Sequence, residues 1–142
     1  MTDPHDLARF LDAQAPVYAQ VIRELKAGRK ASHWMWYVFP QLRGLGWSPT
    51  ARHYGISGRD EAQAYLAHPV LGPRLEECVR LVLAVKGRTA EQIFGYPDVL
   101  KLRSCLSLFA AVAADPGPFN QALAKYYGGE PDPETVRRLA QA

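Results

Sequence analysis

Apolar residues recur along this chain at three- and four-residue spacing, and prolines divide the recurrences into short blocks. Leu7, Phe10 and Leu11 form the first stripe and predict a helix over residues 4–13. Val17, Val21, Ile22 and Leu25 form a second, which begins at Pro16 and stops at Gly28. Residues 32–39 hold a third short element, closed by Pro40. Ser48 opens a short helix that ends at Gly55. Ser57 or Gly58 opens the next, which carries Ala62, Tyr65 and Leu66 and breaks at His68-Pro69. Leu71, Leu75, Cys78, Val79, Val82 and Val85 make an unbroken stripe up to Gly87, and Thr89 caps a short helix around Ile93 and Phe94. Pro97 opens a helix that runs through Ala113. Its second half, CLSLFAAVAA, is apolar on nearly every face, the mark of a buried central helix. Residues 118–127 and 133–141 hold the last two helical patterns.

Proline placement supplies the physical reason for so many starts. Pro4, Pro16, Pro49, Pro118 and Pro133 each precede a helical pattern. At the first helical position the missing N–H has no partner to lose. Ser48 and Asp132 are positioned to cap the turns that follow them. Period-two alternation with turn signals is absent, and residues 37–39 are the one place where a short strand could hide. The expected fold is all-α: a compact bundle of about seven to nine short helices around one central apolar helix. Neither a repeat nor a long linker divides residues 1–142, so a single domain is expected.

Composition narrows the classes. With 142 residues, 48% of them apolar and 22% charged, the chain can bury a core without staples. Cys78 and Cys105 sit within apolar helical stretches and read as small buried hydrophobes. No Cys/His cluster has ligand spacing, so no metal is expected. The first ten residues lack an apolar core, and the longest apolar run, residues 105–114, is too short to cross a bilayer. A cytoplasmic location with no membrane contact is the expectation. A net charge of +3 with scattered basic residues supports a modest attraction to anions and does not make nucleic acid an expected partner.

One segment stands apart chemically. Residues 33–40 read HWMWYVFP, so four of the seven residues 33–39 are large aromatics. On a helix His33, Trp36 and Phe39 share one face, with Trp34 and Tyr37 on the next. Met35, Val38 and Phe39 read as core. Each tryptophan carries an indole N–H that needs a partner, which makes Trp34 and Trp36 candidates for a binding edge. His33 is the candidate general acid or base, because a histidine can exchange a proton near neutral pH. Gln41 and Arg43 follow closely and offer an amide and a guanidinium. Lys101 and Ser104, three apart on the central helix, can meet a phosphate or carboxylate together. A Ser–Lys nucleophile pair is the formal alternative for these two, and a lysine stem lying along the core edge is the plain one. Gln14 and Tyr18 are further candidates to line a pocket. No glycine-rich phosphate loop, dinucleotide fingerprint, Gly-x-Ser-x-Gly elbow or His-Glu-x-x-His helix is present, so no cofactor is expected.

The runs KASHWMWYVFPQLRGLG, SPTARHYGI, EAQAYLAHPVLGPRLEEC, IFGYPDVLKLRSCLSLF and GGEPDPETVRRL resemble the bacterial domain of unknown function 1810. The resemblance covers nearly the whole chain and implies a compact, mainly helical domain. Members sometimes carry the label calpastatin, but that inhibitor is long and disordered, unlike this pattern. The resemblance leads one to expect Ser-Met-Thr where this chain has Cys105, Leu106 and Ser107. It brings no activity with it. Two functions are therefore open, with nucleic-acid binding a weaker third. One is binding or hydrolysis of a small anionic, nucleotide-like ligand at an aromatic pocket. The other is a protein-interaction module without catalysis, its protein partner unknown.

Overall fold

The structure, a computed structural model, describes residues 3–141. Ten helices stand among them: α1 (Ala8–Gln14), α2 (Tyr18–Lys26), α3 (Met35–Val38), α4 (Pro49–Tyr54), α5 (Arg59–Ala67), α6 (Leu71–Ala84), α7 (Ala90–Phe94), α8 (Asp98–Val112), α9 (Gly117–Tyr127) and α10 (Pro133–Gln141). The all-α expectation holds. Ten are described, against the expected seven to nine, and each falls on one of the short patterns read from the sequence.

Capping chemistry explains several of the starts. Ser48 accepts the Ala51 N–H at the head of α4. Thr89 and Gln92 form a reciprocal capping box on α7. Asp132 accepts the Thr135 N–H and hydroxyl at α10. The first helix begins later than Pro4 suggests. The Asp3 carboxylate takes the N–H groups of Leu7 and Ala8, and Asp6 adopts a positive φ of 50°. The chain therefore turns before it coils.

Helix α8 is the centre of the bundle, as its composition predicts, and packs against α5, α7, α9 and α10. Leu102, Cys105, Leu106, Leu108 and Phe109 are buried along it. Ser104 and Ser107 are buried too, because their hydroxyls donate back to the carbonyls of Leu100 and Arg103. Helix α6 lies against α2, α5 and α9 and contributes Leu71, Leu75, Cys78, Val79 and Val82 to the same core.

Residues 37–39 are not a strand: Tyr37 and Val38 close α3, and Phe39 ends it. The one β-type pairing among the described residues is an isolated parallel bridge between Leu42 and Ile56. There Arg43 N–H donates to the Ile56 carbonyl at 2.8 Å, and Ile56 N–H donates to the Gln41 carbonyl at 2.9 Å. This clasp ties the segment after α3 to the segment after α4 and fixes Gln41 beside α8. No described helix is long and apolar enough to cross a membrane.

Candidate functional site

The two tryptophans of the aromatic segment divide into different roles. Trp34 is buried in the core, with its indole N–H donating to Glu24 at 2.9 Å. Glu24, itself buried, also accepts from Ala31 N–H, Ser32 N–H, the Ser32 hydroxyl and the Gln20 amide. Burial pushes its carboxyl up, but the hydrogen bonds from Ser32, Ala31, Gln20 and Trp34 outweigh that and hold it at about 2. The Trp34 N–H is thus committed to a structural hub. Only part of the residue borders a cleft.

Trp36 is half-buried and stands where two clefts meet. The Lys101 ammonium lies 4.0 Å from the centre of its ring. Lys101 also pairs with Asp98 at 3.0 Å, and Lys30 pairs with the second oxygen of the same carboxylate at 2.8 Å. Burial pushes the Asp98 carboxyl up, but the Lys30 and Lys101 ammonium groups more than reverse it, so it stays ionised. Two cations share one anion here, which leaves one positive charge uncompensated among the three. Lys30 further donates to the Ser32 carbonyl and lies 5.0 Å from the centre of the Trp34 ring.

The first cleft, of about 340 Å³, is lined by Trp36, Gln41, Leu45, Pro97, Leu100, Lys101, Ser104, Asp132 and Glu134. Four candidates drawn from sequence, Trp36, Gln41, Lys101 and Ser104, converge there from α3, the clasp segment and α8. Gln41 is 7% exposed, and its side chain makes no hydrogen bond to any described residue. No sealed side-chain nitrogen or oxygen among the described residues lacks a partner, so the Gln41 amide opens on the cleft. One wall is acidic. Asp132 uses one carboxylate oxygen on Thr135, and Glu134 is held by Arg137 and Arg138.

The second cleft, of about 290 Å³, lies on the other side of the Trp36–Lys101 pair. Lys30, His33, Trp34, Met35, Trp36, Tyr37, Thr50, Asp98 and Lys101 line it. His33 is exposed at its edge. The arrangement offers an aromatic surface, two ammonium groups on one shared carboxylate, an acidic wall, an open carboxamide and one imidazole. No group of three or more His, Cys, Asp or Glu among the described residues could hold a metal.

Residues 4–139 match the family described as Protein of unknown function (DUF1810). The chain belongs to the DUF1810 family. It is also similar to a solved relative, the conserved hypothetical protein Rv1873 from Mycobacterium tuberculosis, at 61% identity. The match covers 97% of this chain and 99% of that one, with a TM-score of 0.96. Among curated proteins none matches.

The other candidates of this DUF1810 chain lie away from Trp36. Gln14 is buried and bridges elements: its amide donates to the Tyr37 carbonyl at 2.7 Å and the Tyr65 hydroxyl at 3.0 Å, and its oxygen accepts from Arg74. That is the bonding of a core strut, and Gln14 borders neither cleft. Tyr18 lies where α2 meets α6, bonded to Glu77 and covered by the Arg74 guanidinium. It borders neither cleft. Arg43 lines a third, polar groove with Arg9, Arg52 and His53. The Ser–Lys pair does not form, because the Ser104 hydroxyl donates to Leu100 and the Lys101 ammonium to Asp98. Lys30 and Asp98 line the second cleft beside Lys101 and were not among the residues the sequence singled out for it. The available signal was an acid three residues before Lys101.

Proposed function

We propose that the chain binds a small anionic, nucleotide-like ligand at Trp36, in the clefts on either side of the Trp36–Lys101 pair. The observation that carries this reading is the Lys30–Asp98–Lys101 arrangement. It holds an unbalanced positive charge against the half-exposed indole of Trp36. One indole face already meets the ammonium, so a ligand ring packs on the remaining aromatic surface. An anionic group beside that ring then reaches Lys101 without leaving the cleft. Binding is the part of the reading with geometric support. A hydrolytic step has one acid–base candidate in reach, His33, on the exposed edge of the second cleft.

Calorimetric and thermal-shift titrations of the full chain with nucleoside monophosphates and ADP-ribose test the proposal. Micromolar to millimolar binding is expected, with loss in Trp36→Ala and at least a tenfold weakening in Lys101→Met. If no nucleotide raises the melting temperature at millimolar concentration, the reading fails. The second reading, a protein-docking surface, draws on Trp47, Tyr96, Leu100 and Val136, large apolar residues that stay exposed. A folded Trp47→Ala variant that loses a partner kept by Trp36→Ala would favour it.

A further inference from the structure

We propose that Gln41 reads the base edge of the ligand and that the base it fits is adenine. This inference rests on the reading of the Trp36 clefts as a nucleotide site and names the ring that the first cleft accepts. Its starting point is the unpartnered amide. Gln41 as a residue is 7% exposed, and its amide has no hydrogen-bond partner among the described residues and faces a cleft. An amide that no protein group satisfies, at the wall of a cleft, is left to water alone, so a ligand edge can take the place of that water. The backbone on either side of the amide is fixed: the Gln41 carbonyl accepts from Ile56, and Arg43 N–H returns a bond to the Ile56 carbonyl. The backbone that carries the carboxamide is therefore set before any ligand arrives, which lowers the ordering cost of using it.

A carboxamide presents one acceptor beside two donor hydrogens. It pairs bidentately with an edge that sets a donor next to an acceptor, as the adenine amino group and an adjacent ring nitrogen do. The acidic wall sharpens the choice. Asp132 uses one carboxylate oxygen on Thr135, and its other oxygen makes no bond among the described residues. A carboxylate there attracts an exocyclic amino group and repels a carbonyl oxygen. That favours adenine over hypoxanthine, which has a carbonyl at the six-position and no exocyclic amino group. Trp36 and Lys101 line the same cleft as Gln41 and Asp132, so one ligand can meet an aromatic surface, a cation, the amide and the carboxylate together.

The experiment compares AMP, IMP and GMP by calorimetry on the full wild-type chain and on Gln41→Leu. AMP is expected to bind roughly tenfold to a hundredfold more tightly than IMP, which differs in having a carbonyl in place of the amino group. Gln41→Leu should keep its melting temperature, since the amide holds nothing inside the protein, and should bring AMP down to the level of IMP. Equal binding of AMP and IMP to the wild type overturns the base assignment while leaving the nucleotide site standing. The base assignment falls in the same way if Gln41→Leu binds AMP as tightly as the wild type. Absence of binding by all three nucleotides removes both readings. The wild-type comparison decides the matter even if Gln41→Leu does not fold.

Discussion

Replacing Glu24 by Gln keeps the shape of the side chain and removes its charge, so it isolates what the carboxylate contributes. In the native hub five donors converge on two oxygens: Trp34 Nε1, the N–H groups of Ala31 and Ser32, the Ser32 hydroxyl and the Gln20 amide. A glutamine offers one acceptor oxygen and turns an NH₂ toward donors that cannot accept from it. The carboxyl sits at about 2 in the folded protein against an ordinary value of 4.5, which corresponds to roughly 3 kcal/mol of preference for the ionised form. Because the folded value lies below the unfolded one, that stability is fully present above about pH 4.5. It is lost as pH falls toward 2. Urea unfolding followed by tryptophan fluorescence at pH 7, 5, 4 and 3 measures it directly, since Trp34 reports the hub itself. Glu24→Gln should be less stable than wild type by about 3 kcal/mol at pH 7, and the gap should narrow steadily below pH 4.5. A gap under about 1 kcal/mol at pH 7, or one that stays constant down to pH 3, would refute the argument.

Arg9 makes the same kind of test at a separate buried charge. It places all five of its N–H donors on His5, Asp6, His53 and Gly55 carbonyls and on the buried Glu61 carboxylate. Arg9→Met should cost about 3–5 kcal/mol in chemical denaturation, because Glu61 is left charged, buried and short of its cation. A loss below about 1 kcal/mol would mean the pair contributes nothing net. Gly72→Ala should lower the melting temperature by several degrees, since a Cβ at this position collides with the Leu66 carbonyl oxygen. Cys78 and Cys105 are both buried, with burial pushing the Cys78 thiol up to about 12 and the Cys105 thiol well above its usual range. Neither should react with a thiol-directed dye at pH 8 until denaturant is added; rapid labelling of the native chain would contradict this.

The helices were legible because their causes are local. Apolar spacing within ten or fifteen residues set the buried faces of α6 and α8, and Ser48, Thr89 and Asp132 cap the helices that follow them. The boundary at α1 was not legible. It depends on the Asp3 carboxylate bonding to Leu7 and Ala8 and on a left-handed Asp6, a choice between two turns that apolar periodicity does not report. The Leu42–Ile56 bridge was missed for a different reason. Two single residues from separate loops pair there, with no alternation around them to mark a strand.

The site was half legible, and the dividing line follows sequence distance. Periodicity placed Trp34 and Trp36 on adjoining helix faces, but whether a face meets core or cleft is decided by what packs against it. Glu24, ten residues upstream, takes the Trp34 N–H and draws that ring inward. Lys101, sixty-five residues downstream of Trp36, leaves the second ring at an opening. The same logic separates the two glutamines. Gln14 meets Tyr37, Tyr65 and Arg74 and becomes a strut, whereas Gln41 is carried by the clasp at Ile56 to a place where no protein group reaches its amide. Residue type gives the two the same four-bond capacity; only the fold distinguishes the one already satisfied from the one still open, and the open one is where chemistry from outside the chain can enter.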